Sequence, residues 1–436
     1  FPNVGIGKTH EIHFAFYFDS NGKSGTRLWD YSCLFYLWRF RTNESCFLWC
    51  IVGYDSRNYR ERNYQVQKNG KKSRILMKKI FFTLFIFYGI FSEAQIVRKY
   101  SNEFLNIGAG ARGLAMGGAV ISNQNDVYAP MWNPAGLIGI ERDWQGAAMH
   151  AEYFESIAKY DYISYAKSLD NNGGVFGISV VRLGVDNILN TTQLIDAEGN
   201  IDYDKVTSFS QSDYAALLSY AFRPGGDQRL AVGVNAKLVY RNVGKFASGY
   251  GFGFDVGVLY KADTGWSYGA MLRDATTTVN FWTVNQAELS AVVNGEEFNP
   301  APKDKLEITM PKLNIGMSKN YEINRDLELL PEAGVNIDFA KTAALISTSF
   351  ASITPYAGAE LKFQDMIFVR VGVNRFQTIT DIEDLKRKIS FQPSAGIGIK
   401  YQGLTLDYAI TNSGVGGSNF YSNFFSLKLD MGDFRN

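Results

Sequence analysis

The chain has 436 residues and an almost balanced charge, with 44 Lys and Arg against 43 Asp and Glu. All three cysteines lie within the first 76 residues, where 12 basic residues stand against 6 acidic ones. The rest of the chain is therefore mildly acidic and free of cysteine, which excludes disulfides there and does not favour nucleic-acid binding.

The segment 1–76 precedes the first methionine of the chain, Met77. It includes runs such as "CLFYLWRFRTNESCFLWC" that show neither helical nor strand periodicity. We interpret this segment as translated non-coding sequence or a disordered extension, and we exclude it from the fold.

Residues 77–94 are typical of a secretory signal peptide. Lys78 and Lys79 are followed by an apolar run from Ile80 to Phe91 and then by Ser92-Glu93-Ala94. The apolar run is shorter than the roughly 20 residues of a membrane-spanning helix. Cleavage after Ala94 would leave a mature, exported chain of residues 95–436.

From Trp144 onward, large apolar residues alternate with small or charged ones, as in "GYGFGFDVGVLY" from Gly249 to Tyr260. Such alternation predicts strands with one apolar face. Ten steps of about 3.3 Å, tilted by about 40°, cover roughly 25 Å, the height of the apolar band of an outer-membrane barrel.

The pattern predicts an all-β fold, a 14-stranded antiparallel transmembrane β-barrel over 144–436. A soluble sandwich is the alternative, but many of the predicted strands are longer than its usual 5–6 residues. The predicted strands are 144–153, 158–168, 174–183, 211–221, 229–241, 250–260, 264–273, 308–319, 328–337, 355–363, 366–374, 391–401, 404–411 and 422–431.

The predicted connections alternate in length around the ring. Those after even-numbered strands are short, and those after odd-numbered strands are mostly long, as expected for periplasmic turns and outer loops. Phe281 and Trp282 fall in the long connection 274–307 and are candidates for binding a partner.

Two motifs precede the barrel, in a segment 95–143 that we expect to form an N-terminal plug. They are "GARGLAMGGA" from Gly110 to Ala119 and "WNPAGL" from Trp132 to Leu137. Glycine permits close backbone packing and positive φ, and Asn-Pro initiates a turn. The candidate plug residues are Gly110, Arg112, Gly113, Gly117, Gly118, Asn133, Pro134, Ala135 and Gly136.

The Asn-Pro-Ala-Gly element ahead of fourteen strands resembles FadL-like outer-membrane proteins. The runs "FLNIGAGARG", "GARGLAMGGA" and "MWNPAGL" resemble, more specifically, the PorV/PorQ family of the type IX secretion system of Bacteroidetes. This resemblance implies a non-enzymatic barrel in the cell outer membrane, in contact with its lipid. Its expected partners are type IX translocon or attachment-complex proteins and secreted cargo with C-terminal signal domains.

FadL-like transport of hydrophobic compounds across the outer membrane is the alternative function. A lipid conduit needs an apolar pocket in the lumen. The predicted inward positions instead carry mixed charges, which favours a protein-binding barrel, although a plugged and salt-bridged lumen would look the same. These inward residues are Asn235, Lys237, Asp255, Arg370, Lys400, Asp407, Lys428 and Asp430.

Catalysis, cofactors and metals are not expected. His150 is the only histidine after residue 76, it lies in a predicted strand, and no serine stands in a nucleophile elbow. We expect His150 to be a packed or lumen residue. Asp196, Glu198, Asp202 and Asp204 could bind calcium, but their spacing is not that of an EF-hand, which favours a solvated loop.

Overall fold

A computed structural model describes residues 101–140, 144–169, 174–196, 198–293, 296–298, 305–380, 387–412 and 420–431. The predicted extension 1–76 and the signal peptide 77–94 lie outside the described residues, as do residues 95–100 and 141–143 of the predicted plug.

Fourteen strands cross the barrel in the part of the chain that the structure describes, and three short segments lie outside this set. The strands are β1 Trp144–Tyr153, β2 Ala158–Ser168, β3 Val175–Asn190, β4 Thr207–Phe222, β5 Leu230–Val243, β6 Ala247–Lys261, β7 Trp266–Arg273 with Thr278–Val284, β8 Leu306–Thr309 with Lys312–Lys319 and Tyr321–Asn324, β9 Leu327–Asp338, β10 Ser352–Phe363, β11 Ile367–Thr380, β12 Arg387–Tyr401, β13 Leu404–Asn412 and β14 Tyr421–Asp430. The short segments are Ala291–Val293, which pairs with Glu296–Phe298, and Ile346–Ser347, which pairs with β10.

The strands form one antiparallel sheet that closes on itself, because β14 pairs with β1 from Gln145↔Asp430 to Glu152↔Asn423. A closed ring leaves no edge of unpaired backbone groups, which is the requirement for a sheet in lipid. Two neighbouring strands are interrupted, β7 over residues 274–277 and β8 at residues 310–311 and again at Asn320.

The outer face of the barrel is mostly apolar. Along β6, Tyr250, Phe252 and Phe254 are 63%, 51% and 46% exposed, whereas the inward-facing Asp255 is 2% exposed. The same alternation runs through Ile397 and Ile399 of β12. An apolar outer face on a closed antiparallel ring is the structure of an outer-membrane β-barrel, and the cell outer membrane is where this chain resides.

Most strands reach further than their apolar residues predict. β3 and β4 continue to Asn190 and Thr207, with Ile188 opposite Phe209. The predicted long connection 184–210 is therefore wrong in its bounds, because the ladder continues beyond a register shift between Val185 and Ile188 that interrupts the alternation. The connection between β5 and β6 is also short, at residues 244–246.

Among the residues that the structure describes, helical structure is confined to short pieces. They are α1 Ala111–Ala115, α2 Gln286–Leu289, and the 3-10 turns Glu103–Asn106, Ala129–Met131, Pro134–Gly139, Tyr203–Lys205 and Pro224–Gly226. Among the described residues, no helix has the length and apolar character needed to cross a bilayer.

Candidate functional site

Residues 101–140 fill part of the barrel lumen and form its plug. Polar groups of the wall bind its backbone at several heights: Asn235 donates to the carbonyl of Pro130 at 2.8 Å, and Ser394 donates to that of Ala115 at 2.9 Å. Met116 lies so close to the wall that a Cβ on Gly372 would come within 2.1 Å of its carbonyl carbon. The glycines of the wall are thus what allow the plug backbone to approach.

The glycine motif shapes the plug around one tryptophan. Trp132 donates from Nε1 to the carbonyl of Ala109 at 2.7 Å, and its ring lies where a Cβ on Gly113 would fall. Gly110, Gly117 and Gly118 have φ of 85°, 64° and 79°, values that L side chains rarely adopt. These residues therefore act in the packing of the plug.

The Asn-Pro-Ala-Gly turn anchors the plug to the wall. Asn133 donates from Nδ2 to the carbonyls of Ile121 at 2.9 Å and Val258 at 3.0 Å, and its Oδ1 accepts from the backbone of Ala135 at 3.2 Å. Pro134 begins the 3-10 turn that this bond caps. At Gly136, an added Cβ would lie 1.8 Å from the carbonyl oxygen of Gln124.

Arg112 of the plug joins a buried chain of ion pairs. Its Nε lies 2.9 Å from Glu360, which also binds Nε of Arg370 at 2.6 Å. Arg370 in turn binds Asp407 at 2.6 Å through Nη1. Two arginines and two carboxylates thus neutralise one another inside the barrel.

The other predicted inward charges are also partnered. Lys237 binds Asp255 at 2.7 Å and Asp274 at 2.5 Å. Lys428 lies 2.9 Å from Asp126 of the plug, and Gln145 donates to Asp430 at 2.5 Å. Lys400 binds Asp365 at 3.2 Å, in the turn between β10 and β11.

The pKa of Asp126 reflects this pairing. Burial by itself raises the pKa of the carboxyl, but the Lys428 ammonium and, further away, the Arg112 guanidinium outweigh it and hold the pKa below its ordinary value. Asp126 is therefore ionised at neutral pH and fixes the plug to β14.

A cavity of about 790 Å³ lies above the plug, in the half of the barrel where odd-numbered strands end. One side of it is apolar and combines plug and wall residues: Phe104, Leu114, Trp132, Tyr153, Leu183 and Phe424. The other side carries amides and hydroxyls: Asn314, Asn336, Thr354, Asn374, Gln392 and Ser394. The cavity is thus two-faced, and its size is within the range of small-molecule sites.

Sequence reasoning missed this cavity. Its lining residues lie on strands up to about 300 positions apart in the chain, and no local motif marks them. The sequence carries only a weak sign of the cavity. Along several strands, the inward positions change from glycine in the lower part to larger apolar or amide residues higher up, as at Leu183 and Asn374.

Phe281 and Trp282 do not lie in a loop, so their predicted position is wrong. Both belong to the second segment of β7, where Phe281 pairs with Tyr250 and faces outward. Trp282 stacks with Arg241 at 5.1 Å and donates to Glu307 at 2.9 Å. The lack of alternation over residues 274–277 hid this segment.

His150 lies on the outer face, which makes the prediction of a packed or lumen position wrong. Its Nδ1 is 2.7 Å from Asp161, which Arg182 binds at 3.0 Å from the other side. Asp196 accepts from the backbones of Glu198 and Asn200 at 3.0 and 2.7 Å, so its carboxylate closes its own turn. No group of three or more His, Cys, Asp or Glu residues suited to a metal occurs within the described residues.

Comparison with known proteins gives no match to a family model and none to a curated protein. Among solved structures, the chain is similar to the Ralstonia pickettii toluene transporter TbuX, with 14% identity, a TM-score of 0.48, and coverage of 74% of this chain and 98% of that one. It is also similar to the Pseudomonas putida toluene transporter TodX, with 13% identity, a TM-score of 0.47 and coverage of 77% and 98%.

The chain is also similar to a FadL homologue of Pseudomonas aeruginosa, with 12% identity, a TM-score of 0.44, and coverage of 74% of this chain and 98% of that one. At such identities and scores, these likenesses carry no conclusion about what this chain binds or transports.

Proposed function

We propose that this chain is a non-enzymatic outer-membrane barrel that binds hydrophobic compounds above its plug and passes them across the membrane. The observation that carries the proposal is the cavity of about 790 Å³ with one apolar wall. Burial of apolar surface against that wall would supply about 25 cal/mol per Å², enough to hold a small ligand.

The charged lumen does not count against this function. The inward-facing charged residues form ion pairs with one another and with the plug. One such chain of ion pairs runs from Arg112 through Glu360 and Arg370 to Asp407. They form the plugged, salt-bridged lumen that the sequence left open as an alternative. The apolar wall lies above them, at Trp132, Leu183 and Phe424.

Binding of a fluorescent apolar probe, N-phenyl-1-naphthylamine, to the purified barrel tests the proposal. Leu183→Asn puts an amide into the apolar wall and is expected to lower probe affinity about tenfold or more, since an unpaired polar group costs about 1–3 kcal/mol. Thr354→Asn places the same residue in the polar wall and is expected to leave affinity within about threefold. Equal effects of the two changes, or no saturable binding, would refute it.

A role in type IX secretion is the second candidate. It is supported by the resemblance of residues 104–137 and by the ion-paired row of His150, Asp161 and Arg182 on the outward faces of β1, β2 and β3. Charged groups facing lipid are costly, and contact with a translocon or cargo protein would shield them from lipid.

Copurification from detergent-solubilised outer membrane separates the two candidates. Recovery of secreted proteins with C-terminal signal domains, lost when Asp161 and Arg182 are both replaced by Leu, would support the secretion role. Recovery of bound lipid or hydrocarbon alone would support transport.

A further inference from the structure

A second cavity lies at the opposite end of the lumen, below the plug. It has a volume of about 320 Å³ and lies where the even-numbered strands end, at the short turns of the barrel. Its lining is mostly polar and includes Arg112, Ser122, Asn123, Lys261, Ser318 and Glu360. A hydrophobic compound that reached this lower cavity would lose its apolar contacts and would not be retained there.

The plug is thin where it separates the two cavities. Gly118 and Ile121 line the upper cavity, whereas the next residue, Ser122, lines the lower one. Consecutive Cα atoms are only about 3.8 Å apart. One short segment of the plug, residues 118–123, therefore forms a partition between the cavities, and we call it the strap.

Glu332 fastens the strap to the wall. It lies on β9 between Leu330, which lines the lower cavity, and Asn336, which lines the upper one. Its carboxylate accepts from the backbone N of Ser122 at 3.2 Å, from Oγ of Ser122 at 2.5 Å and from Nδ2 of Asn123 at 2.7 Å. Glu332 is 2% exposed, so these bonds are buried at the level of the partition.

The strap is held differently from the rest of the plug. Arg112 and Asp126 bind the wall through ion pairs with Glu360 and Lys428. Among the described residues, no Lys, Arg or His forms an ion pair with Glu332, and its donors are the uncharged groups of the strap. Because no cation offsets the desolvation of this carboxylate, the strap is held less firmly than the ion-paired parts of the plug.

From this arrangement we propose that hydrophobic compounds leave the upper cavity through the plug, when the strap moves away from Glu332 and the two cavities join. This inference rests on the proposed function and specifies the route of transport. The change from an apolar wall above the strap to a polar lining below it favours release toward the short turns.

A disulfide that locks the strap to the wall tests this route. Oγ of Ser122 lies 2.7 Å from Oγ of Ser318 on β8, so Ser122→Cys combined with Ser318→Cys brings two thiols close to the S–S bond length of about 2.05 Å. The two positions are 196 residues apart in the chain. Oxidation with copper phenanthroline therefore changes the migration of the heat-denatured chain on non-reducing gels. The two single variants, treated in the same way, are the matched controls.

Uptake of N-phenyl-1-naphthylamine is measured in intact cells that produce the barrel, before and after reduction with dithiothreitol. The oxidised double variant is expected to lose most of its uptake and to regain it on reduction. The purified oxidised barrel is expected to bind the probe with an affinity within about threefold of the reduced form, because the lock leaves the apolar wall in place.

Equal uptake by the oxidised and reduced double variant would overturn the inference, since compounds would then leave by a route other than the plug. That result would leave the proposed function intact. Uptake by the wild type and the reduced double variant no faster than by cells without the barrel would overturn the proposed function itself.

Glu332→Gln tests the strap without a crosslink. The amide keeps the size of the side chain but replaces one acceptor oxygen by a donor, which faces the donors of Ser122 and Asn123. Loss of one hydrogen bond to a charged group is expected to raise the fraction of barrels with an open plug about tenfold or more, measured as ion conductance of the purified barrel in planar bilayers. Glu307→Gln is the matched control, because Glu307 binds Arg241 and Trp282 of the wall. Equal conductance of the two variants would contradict the assignment of Glu332 as the residue that holds the strap.

Discussion

Glu360 holds two arginines at once, Arg112 of the plug and Arg370 of the wall. Glu360→Gln removes the carboxylate that both buried guanidinium groups share. Removing one partner of a buried ion pair costs about 3–5 kcal/mol. We expect the free energy of unfolding in detergent, measured with urea, to fall by about that amount.

Glu328→Gln is the control for Glu360→Gln. Glu328 binds Lys362 at 2.8 Å in a partly exposed pair, so its loss should cost no more than about 1 kcal/mol. Similar losses for the two variants would contradict the assignment of Glu360 as the junction between plug and wall.

Asp126 gives the plug a pH dependence with a definite sign. Its folded-state pKa lies below the ordinary value of 3.8, so its contribution to stability is fully present above that value and is lost as pH falls through the lowered pKa. The melting temperature of Asp126→Asn should therefore lie below that of the wild type at pH 7, and the difference should shrink as the pH falls below 3.8. A difference that does not change with pH would contradict the ion pair with Lys428.

Glycines on the inner face of the wall strands let the plug backbone pack directly against the wall. A Cβ on Gly372 of β11 would lie 2.1 Å from the Met116 carbonyl carbon, whereas on the outward Gly146 of β1 the nearest atom, in Trp144, would be 3.4 Å away. Gly372→Ala is thus expected to displace the plug, and Gly146→Ala is not. Trypsin cleavage at Arg112, followed by mass spectrometry, should appear only in Gly372→Ala; equal cleavage of both variants would count against a packed plug.

Much of the barrel could be predicted from the sequence, because alternation over many residues reports which face is apolar. β1 and β2 have the predicted bounds, and β13 differs by one residue. The second segment of β7 was missed because a turn over residues 274–277, with Asp274 and Thr277 at positive φ, breaks the period of two. The cavity could not be predicted, because strands distant in sequence bring its two walls together.

The stability of the barrel depends on keeping charged side chains in the lumen and apolar side chains on the face toward lipid. Arg370 is tolerated inside, where Glu360 and Asp407 bind it. Moving the same side chain one step along β11, as Val371→Arg, places it outward against lipid at a position 55% exposed. We expect a loss of about 2–4 kcal/mol in unfolding experiments in lipid bilayers. Val371→Leu should be neutral, and equal stability of the Arg and Leu variants would contradict the lipid-facing register.

The central claim is that a hydrophobic compound binds above the plug. Crystals of the barrel soaked with 1-bromooctane would locate the halogen by its anomalous scattering. We expect a bromine peak inside the ring, between Trp132 and Leu183. Bromine found only on the outer belt, with none in the cavity, would contradict it.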